Sequence, residues 1–181
     1  MRLLVILIVL FTALPAEGQR YLAGMRGVQA MGGLIERNGY YLHGGYSWYT
    51  ESKNRWAGDV EYLHQRHAWE AGDIPLAQFT AEFGFYRLLF CDVSKSFFVA
   101  IGVTALTGYE TVNWSKKQLP SGAVITNADK WLYGAAAAVE VEYYLDDRYI
   151  FLLTAKQRMA GGSSVGMFHT LFGVGVKYIL E

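Results

Sequence analysis

His43 and Ser47 stand four residues apart, so an extended chain would put them on one face. Carboxylates at Asp59, Glu61 and Glu82 fall on the corresponding polar face of the segments that follow. A histidine, a hydroxyl and a carboxylate are the raw material of a hydrolase triad, in which the imidazole takes the hydroxyl proton during attack. The chain holds no G-x-S-x-G elbow, no H-E-x-x-H pair and no EF-hand spacing. His64 and His67 are three apart, hence on opposite faces of a strand and a poor metal pair. His169 opens a strand near one rim, where a lone histidine reads as a hydrogen-bonding residue. Cys91 is the single cysteine, which leaves no internal disulfide and no thiolate zinc site. No catalytic constellation, metal or cofactor is expected from these residues.

The remaining charges are placed by a pattern of period two. Asp59, Glu61, Glu82, Glu140, Glu142, Lys156, Arg158 and Lys177 all fall on the small or polar face of segments whose other face is apolar. Such a set would form an ion-pair network inside a closed sheet. Glu140 and Glu142 are expected against Lys156 and Arg158 on the next strand, with Lys177 beside them.

Eight segments carry that alternation: Val28 to Ile35, Tyr40 to Thr50, Arg55 to His67, Leu76 to Phe90, Phe97 to Tyr109, Trp131 to Leu145, Arg148 to Met159 and His169 to Glu181. Each is about as long as the 9 to 11 residues that a tilted strand needs to cross a bilayer, the first being the weakest. The run Ala135 to Ala138 favours a helix locally, but the parity of Glu140 and Glu142 argues for a strand. The last segment, with glycine followed by spaced apolar residues at Gly175, Tyr178 and Leu180, resembles the C-terminal signal of bacterial outer-membrane barrels.

Composition agrees. The chain has 181 residues, 52% hydrophobic and 15% aromatic, with a formal net charge of zero. That suits one domain, 19–181, and gives no basic surplus for direct nucleic-acid binding. Residues 1–18 read as a cleaved signal peptide: Arg2, an apolar run from Leu3 to Leu14, then small residues at Ala16 and Gly18. No later stretch is long and apolar enough for a transmembrane helix.

With the N-terminus in the periplasm, the even connections, Glu51 to Asn54, Cys91 to Ser96 and Asp146-Asp147, are short periplasmic turns. The longest, Glu110 to Lys130, falls outside. The fold expected is therefore all-β, an eight-stranded antiparallel up-and-down barrel of the outer-membrane type, in contact with outer-membrane lipid. Aromatics at strand ends, such as Tyr40, Trp48, Trp131 and Tyr178, suit two interfacial girdles. A soluble lipocalin-like barrel is the alternative architecture.

Three stretches carry a family resemblance: Gln19 to Gly27, Gly108 to Trp114, and Gly162 to Thr170. Together they resemble the TraO family of conjugative-transposon proteins of Bacteroides-type bacteria. The resemblance implies an outer-membrane component of a conjugal DNA-transfer apparatus, with other transfer proteins as partners and no catalytic residue to carry over. Tyr109, Trp114, Lys116, Lys117, Ser163 and Ser164 lie on or beside external loops and are the expected partner contacts. The competing readings are a general small barrel for adhesion or envelope stability, and a barrel hydrolase or acyltransferase.

Overall fold

The computed structural model describes residues 23–36, 38–50, 53–67, 74–116, 129–164 and 166–180. The expected signal peptide, 1–18, lies outside the described residues. Eight strands follow in order: β1 (Arg26–Ile35), β2 (Gly39–Tyr49), β3 (Arg55–His67), β4 (Ile74–Cys91), β5 (Phe97–Val112), β6 (Lys130–Tyr144), β7 (Tyr149–Gly161) and β8 (Phe168–Leu180). Each pairs antiparallel with its chain neighbour, and β1 pairs with β8 to close the barrel. The alanine run of β6 is strand throughout.

The alternation of the sequence becomes the two sides of the wall. Along β7, Ile150, Leu152, Thr154, Lys156, Arg158 and Ala160 are buried, while Tyr149, Leu153, Ala155 and Met159 face out. The apolar side is the outside: Leu34 is 70% and Val60 65% exposed, whereas Arg158 and Lys177 are 0% exposed. Water would penalise so large an apolar exterior, and lipid would not.

Register sets the barrel's geometry. A walk along Cα partners from Ile35 passes Leu171, Lys156, Ala138, Gly102, Tyr86, Arg55 and Tyr49. It returns to β1 at Met25, whose carbonyl accepts from the Tyr49 N–H, ten residues from the start. Eight strands with that stagger tilt by about 40° and enclose a space that side chains can fill.

One end of the barrel holds the start of β1, the end of β8 and three tight connections; we call it the terminal end. Its turns are fastened by aspartates. Asp92 accepts the N–H groups of Ser96 and Phe97 at 2.7 and 2.8 Å, and Asp146 those of Arg148 and Tyr149 at 2.7 and 2.6 Å. An apolar plug of Tyr49, Phe98, Tyr144, Ile150 and Ile179 shuts this end. At the far end, Asn38 takes a positive φ of 59° directly before Gly39 opens β2, a left-handed conformation that asparagine tolerates.

Two expectations are corrected here. β5 runs on to Val112, so Glu110 is not the first residue of a loop but an inward strand residue, 0% exposed. The connection between β6 and β7 is four residues, 145–148, and not only the aspartate pair.

Candidate functional site

The lumen carries its charges in two layers. Nearer the terminal end, Arg55 and Lys177 face Glu140 and Glu142. Arg55 Nη1 is 2.6 Å from Glu140 Oε1 and also bonds Glu142, and its guanidinium lies 4.2 Å over the Tyr86 ring. Lys177 Nζ reaches Glu140 at 3.4 Å, bonds Glu142, and donates to the Tyr49 hydroxyl at 3.1 Å. Tyr49 in turn donates to Glu142 at 3.1 Å.

The second layer lies toward the far end. Lys156 Nζ is 2.8 Å from Glu61 Oε2 and 3.1 Å from Glu82 Oε2, and Arg158 Nη1 is 2.9 Å from Glu61 Oε1. His43 lies 3.3 Å from Asp59 and 3.7 Å from Glu61. Gln29 donates to Asp59 at 3.0 Å, and Thr104 to Glu82 at 3.2 Å. Gly45 makes the approach of Asp59 possible, since a Cβ there would stand 1.7 Å from Asp59 Oδ1.

The expected pairing of Glu140 and Glu142 with Lys156 and Arg158 is thus corrected. The Cα partner of Glu140 is Thr154, and those of Lys156 and Arg158 are Ala138 and Ala136. That offset, with the tilt, puts the two cations a layer higher, level with carboxylates across the lumen. Arg55 is the residue the sequence reading overlooked; it opens β3 just after a turn, but shares the parity of Asp59 and Glu61.

Charges taken out of water lose several kcal/mol each, roughly, and stay only where they are paired and hydrogen-bonded. Every carboxylate in these two layers has a basic side chain within 4 Å, that of Asp59 being the His43 imidazole. The arrangement does the work of an apolar core, holding opposite walls of the barrel together.

The triad ingredients do not converge. The ring of His43 is taken by Gln29, Asp59 and Glu61, and the buried Ser47 hydroxyl has no hydrogen-bond partner among the described residues. No group of three metal-ligating side chains occurs among the described residues. His64 faces outward against the Tyr40 ring at 5.3 Å. His169, buried, sits within 3.1 Å of the Gly166 carbonyl.

At the far mouth the buried Glu110 carboxylate gathers the β7–β8 connection. It accepts from Gln78 Nε2 at 2.8 Å, from the Ser163 hydroxyl at 2.9 Å and from the Ser164 N–H at 2.8 Å. Ser163 and Ser164 are therefore drawn in over the lumen.

The other expected loop contacts point outward. Asn113, Trp114 and Ser115 form one 3-10 turn with φ of 50°, 52° and 62°, a left-handed conformation that costs about 1–2 kcal/mol per residue. Asp129 braces this turn, accepting from the Val112 N–H and the Tyr109 hydroxyl, each at 3.1 Å, and from the Ser115 hydroxyl. The Ser115 hydrogen bond, with those from Val112 and Tyr109, holds the Asp129 carboxyl below its ordinary range. Trp114 is 54% exposed and Lys116 is exposed. Lys117 lies outside the described residues.

The fold recurs in solved structures. Neisserial surface protein A aligns with a TM-score of 0.61 at 10% identity, over 85% of this chain and 95% of that one. Ail, the attachment invasion locus protein of Yersinia pestis, solved with the heparin analogue sucrose octasulfate, aligns at 0.58 with 6% identity, over 88% and 100%. The outer membrane protein OprG of Pseudomonas aeruginosa aligns at 0.54 with 13% identity, over 91% and 100%. No curated protein matches the sequence. Residues 18–180 match the family described as conjugative transposon protein TraO.

Proposed function

The chain belongs to the TraO family of conjugative transposon proteins, and we propose from that premise that it serves as an outer-membrane barrel of the conjugative transfer apparatus, in a structural or interaction role. One observation carries the membrane half of this reading: the wall is apolar outside and charged inside. Rings such as Tyr149 and Tyr178, 5.1 Å apart, gather toward the terminal end, and Tyr109 and Trp131, 5.9 Å apart, toward the far end. That is how a barrel meets two membrane interfaces. The terminal end then faces the periplasm and the long β5–β6 connection faces out.

Two features support a role in contact and not in conduction. The lumen is filled by ion pairs between an apolar plug and the Glu110 mouth, so a nucleic acid has no path through one barrel. Outside it, the braced left-handed turn presents Trp114 beside Lys116 to partners, other proteins of the apparatus or the recipient surface. Deleting the gene cleanly and measuring transfer frequency tests the role. Loss of transfer, restored by the wild-type protein, is expected. Transfer at the parental frequency would leave a general envelope or adhesion barrel in its place.

A further inference from the structure

The outer wall is not evenly covered. A furrow of about 750 Å³ crosses the exterior from β2 to β6 on the half nearer the far end. Its floor runs across Gly44, Val60, Ala81 and Thr107, with Val60 the largest side chain of that row. Its upper lip is aromatic: the Tyr62 and Phe79 rings lie 5.0 Å apart, and Tyr109 and Trp131 5.9 Å apart. Five strands spaced ~4.8 Å apart make the furrow about 20 Å long. One leaflet of hydrocarbon is roughly 15 Å thick, so the length suits an acyl chain laid obliquely along the wall.

A cation stands above the lip. The outward residues of β3 run Val60, Tyr62, His64, Arg66 toward the far end, and Arg66 is exposed. Two steps of the strand put its Cα about 13 Å beyond that of Tyr62, within reach of a headgroup whose chain lies in the furrow. His64, held against Tyr40, fills the interval with an imidazole; of the described carboxylates on that rim, Asp129 is already engaged by Tyr109 and Ser115, and Glu36 is exposed on the β1–β2 connection.

The geometry points to a lipid-binding site for a phosphate-bearing, anionic lipid, its acyl chain in the furrow and its phosphate at Arg66. The site rests on the reading of the exterior as lipid-facing, and commits to a lipid because the furrow lies on the apolar outer wall and rises to a positive charge. A second copy of the barrel, convex at this face, would leave the furrow floor uncovered.

The test uses the mature barrel folded in phosphatidylcholine nanodiscs doped with phosphatidylglycerol, with lipid adducts counted by native mass spectrometry. Phosphatidylglycerol adducts are expected at several times their bulk share on the wild type, falling to the bulk share in Arg66→Gln. Gly44→Leu fills the floor and removes the retained lipid; a Cβ at Gly44 meets nothing closer than 3.9 Å, so the position has room for a side chain on the outer face. Adducts that mirror the bulk composition, a preference that survives Arg66→Gln, retention unchanged in Gly44→Leu, or a dimer in place of adducts would each overturn the site. Heat-dependent gel mobility, read on the same samples, separates failure of the site from failure of the barrel itself.

Discussion

Arg55 on β3 holds Glu140 on β6 across the lumen at 2.6 Å, with neither side chain open to solvent. The same guanidinium bonds Glu142, so it neutralises two carboxylates that share one small space with Lys177. Arg55→Met should therefore lower unfolding free energy by about 3–5 kcal/mol, the cost of stranding a buried charge. Urea titration of the refolded barrel in detergent, followed by tryptophan fluorescence, measures it.

Lys156 and Glu61 belong to the other layer. A double-mutant cycle of Lys156→Met with Glu61→Gln should give an interaction energy of about 1–3 kcal/mol. The cycle of Lys156→Met with Glu142→Gln should be additive to within about 0.5 kcal/mol, because those groups lie in different layers. Equal coupling in both cycles would contradict the two-layer arrangement.

Gly44 and Gly45 are neighbours with opposite tolerances. Gly45→Ala pushes a methyl into Asp59 and should cost about 1–3 kcal/mol by overpacking. Gly44→Ala faces open space and should leave the same unfolding curve unchanged.

Glu110 pins the β7–β8 connection over the mouth through Ser163 and Ser164. In Ser164→Cys, a thiol reagent should label slowly; adding Glu110→Ala should speed labelling about tenfold or more while the barrel stays folded. Equal rates would show that the carboxylate does not hold the loop.

Asp129 braces the left-handed turn as a carboxylate. Its pKa is depressed from the ordinary 3.8, so its stabilising effect is complete above that value and is lost as pH falls through the lower folded pKa. Protease cleavage near Trp114 should be slow at neutral pH and accelerate only in strong acid. Asp129→Asn should cleave faster than the wild type at neutral pH, with the acid dependence gone.

Much of this architecture is legible because period two has one meaning per face. Once Tyr149, Leu153 and Ala155 are set outside, Lys156 and Arg158 must point in. Partnership is not legible in the same way. Whether Lys156 meets Glu140 or Glu61 depends on a stagger of ten residues accumulated over all eight registers, which no single strand encodes. Arg55 was hidden by its place at a strand start, where alternation has only one side to be read from. Glu110 was hidden by the polar residues after it, although Leu106 and Gly108 lead inward to it with the right parity. The inward lean of Ser163 and Ser164 follows only from the buried carboxylate across the mouth.

An outer-membrane barrel is tested most directly by gel mobility of the exported protein from separated membranes, with and without boiling. Recovery in the outer-membrane fraction is expected, with a band that shifts on heating, as the closed sheet resists detergent until it is boiled. A protein found in the soluble periplasmic fraction, with one mobility at both temperatures, would contradict it.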